Sequence, residues 1–225
     1  MNKYKMYTTD FGPMFHLATD ECIGRSLDVY GHWALDEIAL MQTLLLPNSR
    51  GSFLDLGANI GTHSIAIARL FPGINVHSFE AQLGIFQILA SNVMINGLSN
   101  VISHYNLVGS KTELVKVRPY SPIPGNMGAV GFEFVTNNDG ETLTHLMASV
   151  AVDDMIPRGE PVALLKVDLE GMELIALEGL QRIFTQDRPI IYFEHNDRSI
   201  DNSLFSYFHS RNYNLYWHVN YPFFF

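Results

Sequence analysis

The most restrictive feature of this chain is the alternation, from Phe53 to Val219, of short apolar runs with amphipathic stretches. Phe53–Leu56, Asn75–Phe79, Val101–Val108, Val162–Val167, Pro189–Phe193 and Asn214–Val219 read as six strands. Between them Thr62–Leu70, Ile85–Ile95, Glu173–Phe184 and Asn202–Ser210 read as helices, the first closed by Pro72-Gly73 and the second by Asn96-Gly97. Strand–helix alternation with right-handed crossovers gives an α/β fold, a doubly wound and mostly parallel sheet covered on both faces. Thr112–Thr136 breaks the rhythm. There Val115–Val117, a Pro/Gly-rich loop from Pro119 to Gly131, and alternating Phe132 and Phe134 read as a β-hairpin insertion. Residues 1–50 hold one clear helix, Ala34–Leu46, and are read as a helical cover segment, over the mouth of the sheet or on one of its faces. Residues 51–225 are read as one domain.

With 225 residues, 47% of them apolar and 16% charged, the chain can close a substantial core without disulfides or structural metal. Its single Cys22 cannot form an intrachain disulfide, and Met1–Asp10 is polar, so a reducing cytoplasm is the expected location. No apolar run approaches the ~20 residues of a membrane span. Fourteen Lys and Arg against 23 Asp and Glu give 14 − 23 = −9, a charge that repels phosphate backbones and argues against nucleic acid as the main partner.

The sharpest local signal is Phe53-Leu54-Asp55-Leu56-Gly57-Ala58-Asn59-Ile60-Gly61, a strand delivering an acid into a two-glycine turn before the helix that starts at Thr62. Gly57 and Gly61 are expected to let a ligand approach the backbone, and the N–H groups opening the helix favour electronegative ligand atoms. A ligand-free strand-to-helix turn has the same signature, but Glu80 adds a second signal. It ends the next strand 23 residues after Gly57, where an acid can accept both ribose hydroxyls of an adenosine ligand. A nicotinamide site would want G-x-G-x-x-G, and here Asn59 and Thr62 replace the second and third glycines. An acid before the first glycine suits a ligand with a cationic amino-acid end, which points to S-adenosyl-methionine.

A second block, Leu164-Leu165-Lys166-Val167-Asp168-Leu169-Glu170-Gly171-Met172-Glu173, ends a buried strand in acids at the same sheet edge. Ligands of open α/β sheets bind at the carboxyl ends of strands, so Asp168 and Glu170 are expected to meet a substrate hydroxyl, with Glu173 only favoured by the dipole of the following helix. Tyr192-Phe193-Glu194-His195-Asn196 brings another carboxylate and an imidazole there; His195 is a general-base candidate and equally an exposed loop histidine. Asp168, Glu170 and Glu194 offer oxygen ligands for one hard ion such as Mg²⁺, at a spacing that fits no defined metal motif.

These residues resemble the FkbM family of S-adenosyl-methionine-dependent methyltransferases, from about Tyr30 to Phe193. The family's first motif is similar to Leu54–Gly61 followed by Ser64, its acid after the second strand falls on Glu80, and Asn92 and Asn96 match the helix beyond. Its late block is similar to Lys166–Glu173 and runs on into Leu177, Gly179 and Leu180. Arg188-Pro189, Glu194, and the upstream Tyr30-Gly31-His32-Trp33 with Glu37 match as well. The resemblance implies a class I methyltransferase fold, with Rossmann-like topology. It implies that Asp55, Gly57, Ala58, Asn59, Gly61, Thr62, Ser64, Glu80 and Asp168 hold the cofactor. Asp168, Glu170 and Glu194 would face the acceptor, and His195 belongs to no signature of the family. Such enzymes mostly methylate hydroxyl oxygens of sugars, polyketides or glycolipid precursors, so a small-molecule acceptor, a glycan or other sugar-containing compound among the candidates, is expected. The fold's seventh, antiparallel strand has no full counterpart: Tyr221–Phe225 is too short, and truncation from a longer protein is expected. Two rivals stand beside this reading: an NAD-dependent oxidoreductase on the same sheet, and a non-catalytic S-adenosyl-methionine-binding module attached to a glycan-processing protein.

Overall fold

A computed structural model describes residues 3–45, 51–120, 126, 128, 130–135, 145–194 and 203–219. The elements in chain order are β1 (Tyr4–Thr9), β2 (Gly12–Leu17), α1 (Ile23–Tyr30), α2 (Leu35–Leu44), β3 (Ser52–Leu56), α3 (Thr62–Leu70), β4 (Asn75–Glu80), α4 (Leu83–Ile95), β5 (Val101–Tyr105) and β6 (Leu107–Val108). They continue with β7 (Glu113–Tyr120), β8 (Gly131–Phe134), β9 (His145–Val150), α5 (Val152–Met155), β10 (Val162–Val167), α6 (Glu173–Glu178), α7 (Gln181–Gln186), β11 (Ile190–Phe193) and α8 (Ser203–His209).

The central sheet has the order β11-β10-β3-β4-β5 with every pair parallel. Strands of such a sheet are buried on both faces, and β3 is buried at all five positions. Their alternation sorts the core into two layers. Leu54, Leu56, Leu165 and Val167 pack on Ala176, Leu177, Ile183, Phe184 and Phe208 from α6, α7 and α8. Phe53, Val76 and Leu164 face the other way, onto Met41 of α2 and Ile67 and Ala68 of α3. Helix α4 buries Ile85, Ile88, Leu89 and Asn92, the i, i+3, i+4, i+7 stripe of a helix with one face on a core.

The insertion contains the expected antiparallel pair, β7 with β8, but is larger than a hairpin. Strand β9 adds to β7, and β6 adds parallel to β9, giving a second sheet of order β6-β9-β7-β8. The expected strand Val101–Val108 therefore splits at Asn106: its first part stays with β4 and its last two residues pair with β9.

Two further expectations are corrected. The helix expected over Glu173–Phe184 is two helices, because Gly179 comes so close to the Gly109 carbonyl that a Cβ would lie 2.2 Å from it. The Asp153 carboxylate then captures the N–H groups of Arg182 (2.6 Å) and Ile183 (3.1 Å), restarting the helix. The expected sixth strand, Asn214–Val219, has no ladder partner among the described residues and is irregular. Its alternation serves ring packing instead: Trp217 meets Phe205 edge-on at 5.8 Å and His218 meets Tyr192 at 5.9 Å. Tyr221–Phe225 lies outside the described residues.

The N-terminal segment carries an antiparallel hairpin, β1 with β2, and the helix α1 in addition to α2. Asn92, fully buried, accepts from the Phe15 N–H (2.6 Å) and donates to the carbonyls of Phe15 and Ile60. Asn96 donates to the Pro13 carbonyl (2.7 Å). Both asparagines thus tie the hairpin to α4 and to the turn after β3.

Candidate functional site

A cleft of about 1550 Å³ opens at the carboxyl edge of the central sheet. Its wall is built first by the turn between β3 and α3. The N–H groups of Gly57 and Ala58 both donate to the Phe79 carbonyl (3.1 and 2.9 Å), which folds the turn against β4. Gly57 has φ +81°, and a Cβ on it would lie 1.8 Å from the Asp168 carbonyl oxygen. Packing of the turn against the end of β10, rather than room for a ligand, thus demands this glycine. Gly61 is likewise set by φ +93° and by Leu89 of α4, 2.6 Å from where its Cβ would be. Asn59 adopts φ +51°, a conformation asparagine tolerates better than most residues, and its side-chain oxygen accepts from the Ile60 N–H (2.7 Å).

Glu80 closes this side of the cleft. Its carboxylate accepts from the Asn59 N–H (3.0 Å) and the Gln82 N–H (2.7 Å). Burial pushes its pKa up to about 7, against the pull of those two N–H groups, and the negative charge of Asp55 adds to the rise. Among the expected cofactor residues, Gly57, Ala58, Asn59, Thr62, Glu80 and Asp168 line the cleft, whereas Asp55, Gly61 and Ser64 lie behind its wall.

Asp55 has no exposed surface. The register Lys166↔Asp55↔Ser78 sets three polar side chains side by side on the α3 face of β10, β3 and β4. Ser64 of α3 reaches down to them, donating to Asp55 (2.6 Å) and lying 2.7 Å from the Ser78 hydroxyl. Lys166 Nζ stands 3.6 Å from Asp55 Oδ1, donates to Asp168 Oδ2 (3.1 Å), and is 3.4 Å from the Gly57 carbonyl. Burial opposes its charge, but the carboxylates of Asp168, Asp55 and Glu37 outweigh that and raise its pKa. Burial likewise opposes ionisation of Asp168. The adjacent ammonium overrides it, with help from a hydrogen bond with Glu194, and lowers the pKa of Asp168 below the usual carboxylate value.

The expected catalytic acids come together. Oxygens of Asp168, Glu170 and Glu194 lie within 4.8 Å of one another, all three on the cleft wall. That distance would suit one shared cation, and nothing else at the cluster points to one. Glu170 sits at φ +50° in a loop held by Glu173, whose Oε1 accepts from the N–H groups of Leu169 and Gly171, each at 3.1 Å. Glu173 thus shapes the loop from the first turn of α6. Burial, together with the charges of Asp168 and Glu173, pushes Glu170 up to about 7. His195 lies outside the described residues.

Three wall residues were not singled out for a role by sequence: Lys166, His63 and Glu37. His63 Nε2 lies 3.0 Å from Glu37 Oε2. No spacing joins these two positions, which are 26 residues apart on different helices.

A family model described as the methyltransferase FkbM domain matches residues 55–215, more than half of the chain. "Methyltransferase 1" of Beauveria bassiana (strain ARSEF 2860) is 26% identical over 142 residues, covering 56% of this chain and 57% of that protein. "Methyltransferase sdnD" of Sordaria araneosa is 28% identical over 153 residues, covering 56% of this chain and 59% of that one. The chain therefore matches under three-fifths of the length of these relatives. Among solved structures, a precorrin-6y C5,15-methyltransferase from Geobacter metallireducens GS-15 superposes with a TM-score of 0.50 at 12% identity, covering 83% of this chain and 79% of that one. At that identity the likeness is one of fold, and the parallel sheet with its carboxyl-edge cleft is that of class I methyltransferases. With its first glycine turn, Glu80 and the Lys166–Glu173 block all inside the matched span, the chain belongs to the FkbM methyltransferase domain family.

Proposed function

We propose that the chain binds S-adenosyl-methionine in this cleft and catalyses methyl transfer to a hydroxyl of a small molecule, sugar-containing or other. The observation that carries the reading is the joining of two sets of groups in one cleft: the turn after β3 with Glu80, and the acids Asp168, Glu170 and Glu194. Its volume, about 1550 Å³, exceeds the roughly 300–1000 Å³ that holds one small ligand, leaving space for donor and acceptor together.

The residues fit the cofactor. Glu80 is a buried carboxylate on the wall, placed to accept ribose hydroxyls, and Gly57, Ala58 and Asn59 put backbone beside it. When bound, the cofactor supplies an electrophilic methyl on a sulfonium. The chain's own task is to align the acceptor and take its proton. Among the described residues, Asp168, ionised beside Lys166, and Glu170 can accept that proton; the expected role of His195 rests on chemistry alone. The Asp168–Glu170–Glu194 cluster serves as a proton-accepting and positioning group.

An oxidoreductase reading has no observation in its favour, since Asn59 and Thr62 occupy the positions where dinucleotide sites need glycine. Mass spectrometry of the purified protein, followed by label transfer from methyl-labelled cofactor to a panel of sugars and glycolipids, tests the proposal. It expects a co-purifying adenosyl compound and label on a hydroxyl oxygen. Label on nitrogen or carbon, or none on any acceptor, would contradict it.

A further inference from the structure

We infer that Glu173 is a positioning residue: with Gly131 of the inserted sheet it clamps the backbone of Glu170, so that this carboxyl group stands at the cleft wall in one fixed place. The inference rests on the proposed methyl transfer and deepens it, by naming two groups outside the central sheet that set one of its proton acceptors.

Glu170 has φ +50°. Glutamate lacks the short polar side chain that eases this conformation for asparagine, so it persists only where its surroundings over-determine it. Glu173 Oε1 accepts from the N–H groups of Leu169 and Gly171, each at 3.1 Å, and so holds the residues on both sides of Glu170 with one oxygen. Neither N–H belongs to α6, which begins at Glu173 itself with Met172 as its N-cap. The side chain therefore does not cap its own helix but reaches back over the turn that carries Glu170. A third contact comes from β8, where a Cβ on Gly131 would lie 2.9 Å from the Glu170 carbonyl oxygen. Phe132, next along β8, lines the cleft with Glu170, so the inserted sheet and the loop after β10 meet at the wall.

The charged groups around Glu170 are Asp168 and Lys166 of β10, Glu173 of α6, and Glu194 after β11. Of the acids whose charge raises Glu170 towards 7, Glu173 is the one that also bonds its loop, so one side chain sets both place and basicity.

Three variants of the full chain test this. Glu173→Gln keeps an oxygen that can accept both N–H groups, Glu173→Ala does not, and Gly131→Ala pushes on the Glu170 carbonyl. Carboxyl-carbon NMR follows the titration of Glu170, its signal identified by its loss in Glu170→Gln, and amide hydrogen exchange follows Leu169 and Gly171. Wild-type Glu170 should titrate near 7. In Glu173→Gln it should titrate lower with exchange still slow, and in Glu173→Ala the two amides should exchange about tenfold faster or more. With an acceptor found in the label-transfer screen, kcat of Glu173→Ala and of Gly131→Ala should fall about tenfold or more, since a slight misplacement can cost about a hundredfold. Acceptor KM and S-adenosyl-homocysteine affinity should stay within about twofold, which also reports an intact fold, and Glu173→Gln should recover most of the lost rate. Unchanged exchange and titration in Glu173→Ala, an unchanged kcat, or a raised KM at constant kcat would overturn the inference while leaving methyl transfer in place. A wild-type chain that binds no S-adenosyl-homocysteine and methylates no acceptor would overturn the proposed function and this role for Glu173 with it.

Discussion

The Glu80 carboxylate accepts a 3.0 Å hydrogen bond from the backbone N–H of Asn59, locking the end of β4 to the turn that follows β3. Two residues that sequence places 21 positions apart thereby become one wall of the cleft. The second oxygen is fixed by the Gln82 N–H, so the carboxylate is oriented before any ligand arrives.

Asp55 is a structural group of the cleft floor. Asp55→Asn keeps the shape but removes the negative partner of a buried ammonium, and breaking a buried pair costs about 3–5 kcal/mol. Because Lys166 keeps Asp168, the lower end of that range is expected. Urea unfolding should show the midpoint fall with the slope unchanged. Unchanged stability with lost cofactor affinity would place Asp55 in ligand contact instead.

Asp168→Asn should lower turnover about 100-fold or more while cofactor affinity stays within a few-fold, as expected for a group that accepts a proton in the reaction. Single-turnover rates with labelled cofactor, set against calorimetric affinity, separate the two quantities.

The hydropathy pattern made the central sheet legible because β3, β4 and β10 are buried on both faces and are bounded by glycine or proline. It failed where long-range partners decide. Nothing local reveals that Asp153 caps α7 or that Gly179 must meet Gly109, and alternation alone made a strand of Leu215, Trp217 and Val219 although no strand among the described residues pairs with them. At the site, motif position located Glu80 and the Asp168–Glu170 loop. The Glu37–His63 pair was hidden because it forms only when α2 packs against α3.

A second titrating cluster lies away from the cleft. His77 is wedged between His104 Nε2 (3.1 Å from its Nδ1) and Glu160 (3.2 Å from its Nε2), and His104 stacks on Phe79 at 4.3 Å. Burial, with some repulsion from His77, lowers His104 to about 4. A histidine kept neutral by the fold stabilises it fully above the unfolded pKa, about 6.5, and that contribution is lost as pH falls towards 4. His104→Gln should therefore flatten the loss of stability between pH 6.5 and 4, measured by thermal unfolding across pH. An unchanged slope would assign the acid sensitivity elsewhere.

Glu80 titrates in the opposite sense. With its pKa raised to about 7, the folded chain holds a proton that the unfolded chain releases near 4.5, so its contribution to stability declines as pH rises through this window. The ionised form is the better acceptor for ribose hydroxyls, and affinity should rise across the same window. The most direct measurement is calorimetric titration of S-adenosyl-homocysteine into wild type and Glu80→Gln at pH 6 and pH 8. Wild type should bind several-fold tighter at pH 8, and the variant should bind at least tenfold more weakly than wild type at pH 8. Equal affinity in the two proteins at both pH values would show that the nucleoside does not rest on this carboxylate.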